Sequence, residues 1–195
     1  MSKFLFLILV VVSSSASAAL PELAVGGGFI HNHPDIKITK ASGVSQDEED
    51  TTTFNIGVRA MFPIQEKLKY RTGLYLQEKS AKLEAEASGV SANGEAKILE
   101  VAIPLNVQYQ LHEKFSAYGG YVVDLPINEY CKAGGVIKGC NVGEAAKVTH
   151  NLNIGGSFHL HEKIDLELSY QHPMKAVLDD TKIYAWLAQF FVKFP

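Results

Sequence analysis

Seven charged residues stand out because each falls on the polar side of an otherwise apolar alternating run: Arg59, Lys69, Arg71, Glu100, Asp124, Asp165 and Glu167. Buried ions need partners, so charges of both signs on one face predict internal ion pairs rather than solvated ends. Counting back from the neighbouring turns, Arg59, Lys69 and Arg71 share a depth with Asp165 and Glu167. The expected arrangement pairs Arg59 and Arg71 with Glu167, Asp165 and Glu22 as an ionic plug. Such a cluster serves as a satisfied polar core or as a gate, and the core is the simpler reading where little room for water exists.

Other reactive side chains give weaker patterns. His31 and His33 are two apart, as are His159 and His161, and His172 stands at the edge of a loop. Two ligands on one strand face would begin a metal site, but three or four converging groups are needed and spacing fixes no third. No metal site and no cofactor is therefore expected. Cys131 and Cys140 are the only cysteines, in one glycine-containing segment. In an exported chain such a pair is expected to form a disulfide, contributing about 2–3 kcal/mol and stiffening the loop more than the whole domain.

The elements that must position these groups are strands. From 97 to 111 the residues Leu99, Val101, Ile103, Leu105, Val107, Tyr109 and Leu111 share one face, while Glu100, Ala102, Pro104, Asn106, Gln108 and Gln110 share the other. A period of two places neighbouring side chains on opposite sides of a strand. A polar His-Glu-Lys turn follows, and a second alternating run begins at Phe115. The unit occurs three times, at Gln65-Glu66-Lys67, His112-Glu113-Lys114 and His161-Glu162-Lys163, spaced by 47 and then 49 residues. Repeated strand–turn–strand units point to an up-and-down β-barrel.

Eight strands are expected, joined alternately by short turns and by long connections over residues 32–50, 80–95, 128–145 and 172–180. An even count lets the first and last strands pair, so that no edge is left open. In the first strand Ala24, Gly26 and Gly28 make a nearly bare inner face, leaving room for long side chains from other strands. The three glycines are not a phosphate loop, because no helix-forming stretch follows.

The N-terminus reads separately. Lys3, the apolar run from Phe4 to Val12 and Ala16-Ser17-Ala18 have the layout of a secretory signal peptide. Residues 1–18 are thus set apart as the leader, and residues 19–195 as one barrel domain. Beyond the leader, 17 basic residues face 21 acidic ones, a net charge of −4. That balance gives no support for a nucleic-acid partner.

Soluble barrels also alternate, but they turn the apolar face inward. Here the apolar face is nearly continuous while the other carries the charges. Aromatics collect at strand ends, with Phe62, Tyr70, Tyr109, Phe115, Phe158 and Phe194 towards one rim and Phe29, Tyr121, Tyr170, Tyr184 and Trp186 towards the other. Both features fit a barrel whose apolar face meets lipid. The fold class is therefore an all-β, eight-stranded antiparallel transmembrane β-barrel.

The VAIPLNVQYQL and FSAYGGYVV hairpin, IDLELSYQHP and the aromatic closing strand YAWLAQFFVKF resemble the small OmpA/OmpX-like outer-membrane β-barrel superfamily of Gram-negative bacteria. The resemblance implies export to the outer membrane and contact with outer-membrane lipid. It also implies recognition of the last strand by the barrel-insertion machinery, although here Pro195 follows the terminal aromatic Phe194. It places the fold and not the activity; the expected role is structural or surface-interactive, with an unidentified ligand met by the loops on a rigid scaffold and no enzymatic activity. A narrow channel for small solutes is the alternative. A second alternative is a lipid A-modifying enzyme, for which Ser169, His172 and Asp179 or Asp180 would be the raw material.

Overall fold

The computed structural model describes residues 20–36, 45–87, 90–135, 148–176 and 181–194, with side chains at 36, 45–47, 83–87, 90–92 and 131–135 left aside. The predicted leader and Cys140 lie outside the described residues, as does the side chain of Cys131. Nine strands are present among the described residues: β1 (Glu22–Ile36), β2 (Ser45–Glu49), β3 (Thr51–Gln65), β4 (Leu68–Ala87), β5 (Val90–His112), β6 (Phe115–Gly135), β7 (Thr149–His161), β8 (Ile164–Pro173) and β9 (Thr181–Lys193). Every pairing is antiparallel. The sheet closes where β1 meets β9, from Ala24 opposite Lys193 to Ile36 opposite Thr181. Eight strands form the closed barrel, and the short β2 adds only to the far end of β4.

The alternation read from sequence becomes a barrel turned apolar side out. Phe29, Ile56, Leu74, Ile154, Trp186 and Phe190 are all more than half exposed, whereas Arg59, Glu100, Asp124, Asp165 and Glu167 are fully buried. A soluble barrel would reverse both sets, because burying charge while exposing aromatic and aliphatic surface to water is doubly unfavourable. Aromatic pairs lie on the outside: Phe62 with Tyr70, Phe115 with Phe158, and Tyr170 with Trp186.

The three repeated hairpins share one construction. Gln65 pairs with Leu68, His112 with Phe115 and His161 with Ile164, and a register shift sits beside each turn. Bulges of this kind raise local twist and help a narrow sheet to close. Each turn also holds the next hairpin. The Gln110 amide donates to the Lys67 carbonyl at 2.9 Å, His159 to Lys114 at 3.0 Å and Lys193 to Lys163 at 2.9 Å. The sequence repeat is thus a ring of backbone hydrogen bonds around the short-turn rim.

On the bare inner face of β1, a Cβ at Gly26 would stand 2.6 Å from Phe191 Cδ1. The Phe191 ring fills that space and lies 4.6 Å from the Arg59 guanidinium.

The long connections are shorter than expected. β4 continues to Ala87, β5 starts at Val90, β6 reaches Gly135 and β1 reaches Ile36. Alanine, serine and glutamate have weak strand preference, which is why residues 80–95 read as loop. A hairpin already in register extends by pairing each new residue with its opposite, from Lys79 with Ile98 to Ala87 with Val90. With 20, 23 and 21 residues, β4, β5 and β6 are about twice the 9–11 residues that cross a bilayer. They project from one side of the barrel as a sheet.

Candidate functional site

The inward charges separate into two groups at different depths, with Glu100 and Asp124 apart from Arg59, Arg71, Asp165 and Glu167. Near the short turns, adjacent strands β3 and β4 carry Arg59 and Arg71 and β8 carries Asp165 and Glu167 across the lumen. Arg59 bonds to both carboxylates, reaching Asp165 at 2.6 Å. Arg71 grips Glu167 with both terminal nitrogens, one of them at 2.8 Å. The fork of a guanidinium matches a carboxylate in two places, so this pairing has orientation as well as charge. The Arg71 guanidinium also lies over the Tyr118 ring at 4.0 Å. Lys69 stands apart from the buried group: it is part exposed and meets Glu22 at 3.1 Å. Lys193, absent from the sequence reading, lies 3.0 Å from Asp165.

The second group lies where the long strands leave the barrel. Lys79 Nζ is 2.7 Å from Glu100 and 2.6 Å from Asp124, with all three side chains essentially without exposure. Gln77 donates to Glu100 at 2.6 Å and Asn151 donates to Asp124. Lys79 carries little signal in the sequence because it stands beside the expected connection over residues 80–95. Continuing the inward series 71, 73, 75, 77 by one more step reaches it.

Between the groups is a small cavity lined by both polar and apolar side chains. Asn55, Asn106, Gln171 and Tyr75 line it, and the amides of Asn55 and Asn106 find no protein partner among the described residues.

The histidines take three different settings. His31 and His33 face outward and both meet Asp50, at 3.3 and 2.6 Å. The His33 hydrogen bond holds the Asp50 carboxyl below its ordinary value. His172 is also outward, edge-on to Tyr184 with centroids 5.2 Å apart. His159 points inward, between Ser116 and Asp165. No group of three metal-ligating side chains occurs among the described residues.

The Ser169/His172 set does not assemble. Ser169 is buried in the lumen and His172 faces out, three positions along the same strand and so on opposite faces. Asp179 and Asp180 lie outside the described residues. On the projecting sheet, Lys97 pairs with Glu78 and Glu95 at 3.6 and 3.4 Å. The charge of Glu78 holds its ammonium above the ordinary range.

No protein-family model matches the chain, and no curated protein matches it in sequence. Solved structures do match. Ail, the attachment invasion locus protein of Yersinia pestis, in complex with the heparin analogue sucrose octasulfate, has a TM-score of 0.51 at 15% identity, covering 90% of this chain and 100% of that one. OprG from Pseudomonas aeruginosa has a TM-score of 0.49 at 12% identity, covering 89% and 96%. Neisserial surface protein A has a TM-score of 0.43 at 13% identity, covering 88% and 97%. Strand count, closure and an apolar exterior agree with the match to Ail: this chain has the fold of the small eight-stranded outer-membrane β-barrels.

Proposed function

We propose that the protein is an exported outer-membrane barrel whose interior is closed by its own side chains and whose role is carried outside the membrane by the projecting strands and loops. The observation that carries this reading is the pair of buried ionic groups at two depths of the lumen, Arg59–Arg71–Asp165–Glu167 and Lys79–Glu100–Asp124. An eight-stranded interior is barely wide enough for side chains, and here they are held by short charge-assisted bonds. Permeation would have to break both groups, so an open pore is disfavoured.

A rigid scaffold with displayed segments is a common way to place recognition groups. The displayed part is acidic: Asp47, Glu48, Glu49 and Asp50 precede β3, and Glu78, Glu84, Glu86 and Glu95 lie along the β4–β5 hairpin against Lys82 and Lys97. That balance favours a basic partner over a sulfated or phosphorylated one. The outer-membrane lipid contacts the apolar exterior, and β9 with Phe194 would be read by the insertion machinery.

The test is fractionation followed by gel electrophoresis with and without boiling, combined with protease treatment of whole cells. The expected result is a heat-shifted band in the outer-membrane fraction, cut only in the projecting segments. An unshifted protein in the periplasm would overturn the reading.

A further inference from the structure

At the short-turn end, Ser116 Oγ lies 3.1 Å from His159 Nε2, and His159 Nδ1 lies 2.7 Å from Asp165 Oδ1. The other oxygen of Asp165 accepts from Arg59 at 2.6 Å, and Lys193 Nζ stands 3.0 Å from Oδ1. With two cations on it, the carboxylate is ionised and can only accept hydrogen bonds. The proton between it and the imidazole therefore sits on Nδ1. With the imidazole neutral, Nε2 keeps its lone pair towards Ser116, whose hydroxyl then donates. That is the tautomer in which a histidine takes a proton from a serine, and such sets are recognised by geometry and role rather than by order in the chain.

The three residues stand on neighbouring strands. Ser116 is opposite Ser157 on β7, and His159 is opposite Asp165 on β8. The hydrogen bond from the His159 amide to the Lys114 carbonyl ties the histidine to the turn just before Ser116. Paired strands fix such a constellation more firmly than loops do. Asp165 already has Arg59 and Lys193, so the Ser116–His159 arm is not needed to neutralise it.

We propose that Ser116, His159 and Asp165 form an acyl-transfer site, as nucleophile, general base and orienting carboxylate, that takes an anionic acyl ester at the short-turn end of the barrel. Access follows from exposure: Ser116 is 1% exposed and the His159 side chain 18%, so an ester reaches Ser116 only by displacing the rim beside His159. Charge follows from the surroundings. The cations Arg59, Lys69, Arg71 and Lys193 outnumber Glu22, Asp165 and Glu167 by one, which draws an anion.

In the first step Ser116 Oγ bonds to the acyl carbon while its proton passes to His159 Nε2. The ester C–O bond breaks, and the departing alkoxide takes that proton. Water then attacks the acyl carbon and gives a proton to His159. The Ser116–acyl bond breaks, the proton returns to Ser116 Oγ and a carboxylic acid leaves.

The test uses the full chain folded in detergent, with folding checked by the heat shift. Phenylmethylsulfonyl fluoride is the covalent probe, and p-nitrophenyl acetate and the succinate half-ester of p-nitrophenol are the substrates. The expected result is a sulfonyl adduct on the Ser116 peptide of the folded protein and none after boiling. Labelling should fall at least about tenfold in His159→Gln, and hydrolysis at least about hundredfold in Ser116→Ala, with the half-ester turned over faster than the acetate. Absence of the adduct, equal labelling of folded and boiled protein, or unchanged hydrolysis in Ser116→Ala would overturn the proposal. If a variant fails to fold, the folded-versus-boiled comparison on the natural sequence decides the matter.

Discussion

At the short-turn end of the lumen two arginines and a nearby lysine face two buried carboxylates, whereas at the long-strand end one lysine faces two. The first group is redundant around Asp165, which keeps Arg59 or Lys193 if the other is lost. The second has no spare cation among the described residues, and amides from Gln77 and Asn151 add hydrogen bonds to Glu100 and Asp124. Buried carboxylates in a narrow barrel can therefore be held by several shared contacts or by one indispensable residue, and the two designs should fail differently.

The largest effect is expected from Lys79→Met. It leaves Glu100 and Asp124 facing each other without a cation, at a cost of about 3–5 kcal/mol. Urea unfolding in lipid vesicles, followed by the heat-shifted band, measures it. Adding Glu100→Gln and Asp124→Asn should recover most of the loss, because replacing a whole buried ionic group is far milder than breaking one. Without recovery, the cost would come from packing around the lysine stem and not from charge.

Glu167→Gln comes next, at about 3 kcal/mol, since Arg71 loses its bidentate partner while Arg59 keeps Asp165. A loss equal to that of Lys79→Met would mean that the short-turn group is not redundant.

The smallest effect belongs to Asp50 on the surface. Its carboxyl is held below the ordinary value by His33, so its contribution is present above about pH 4 and disappears as the pH falls through the depressed value. Amide exchange at the start of β3 should quicken only in that acid range, and not at all in Asp50→Asn. Quickening near neutral pH would assign the effect to another group.

How far the site could be read from sequence follows the same division. Arg59, Arg71, Asp165 and Glu167 lie within a few residues of turns, in clean apolar alternation, so their inward direction and shared depth follow from parity alone. Lys79 lies where apolar partners give way to Ala, Ser and Glu, and the hairpin continues there by register rather than by residue preference. Ser116 carries no signal of its own: a small polar residue on an inner face is ordinary, and its histidine is 43 residues away. Ser169 and His172, close in sequence, are separated by the parity of their strand. The barrel was readable because its rule is local, while the contacts across the lumen depend on closure.

The most direct test of the closed interior is single-channel recording of the refolded barrel in a planar bilayer. The natural sequence should show no steady large conductance, with openings gained in Lys79→Met, where the long-strand end loses the one buried cation among its described residues. A steady, large conductance from the natural sequence would contradict the closed lumen and with it the role assigned to both ionic groups.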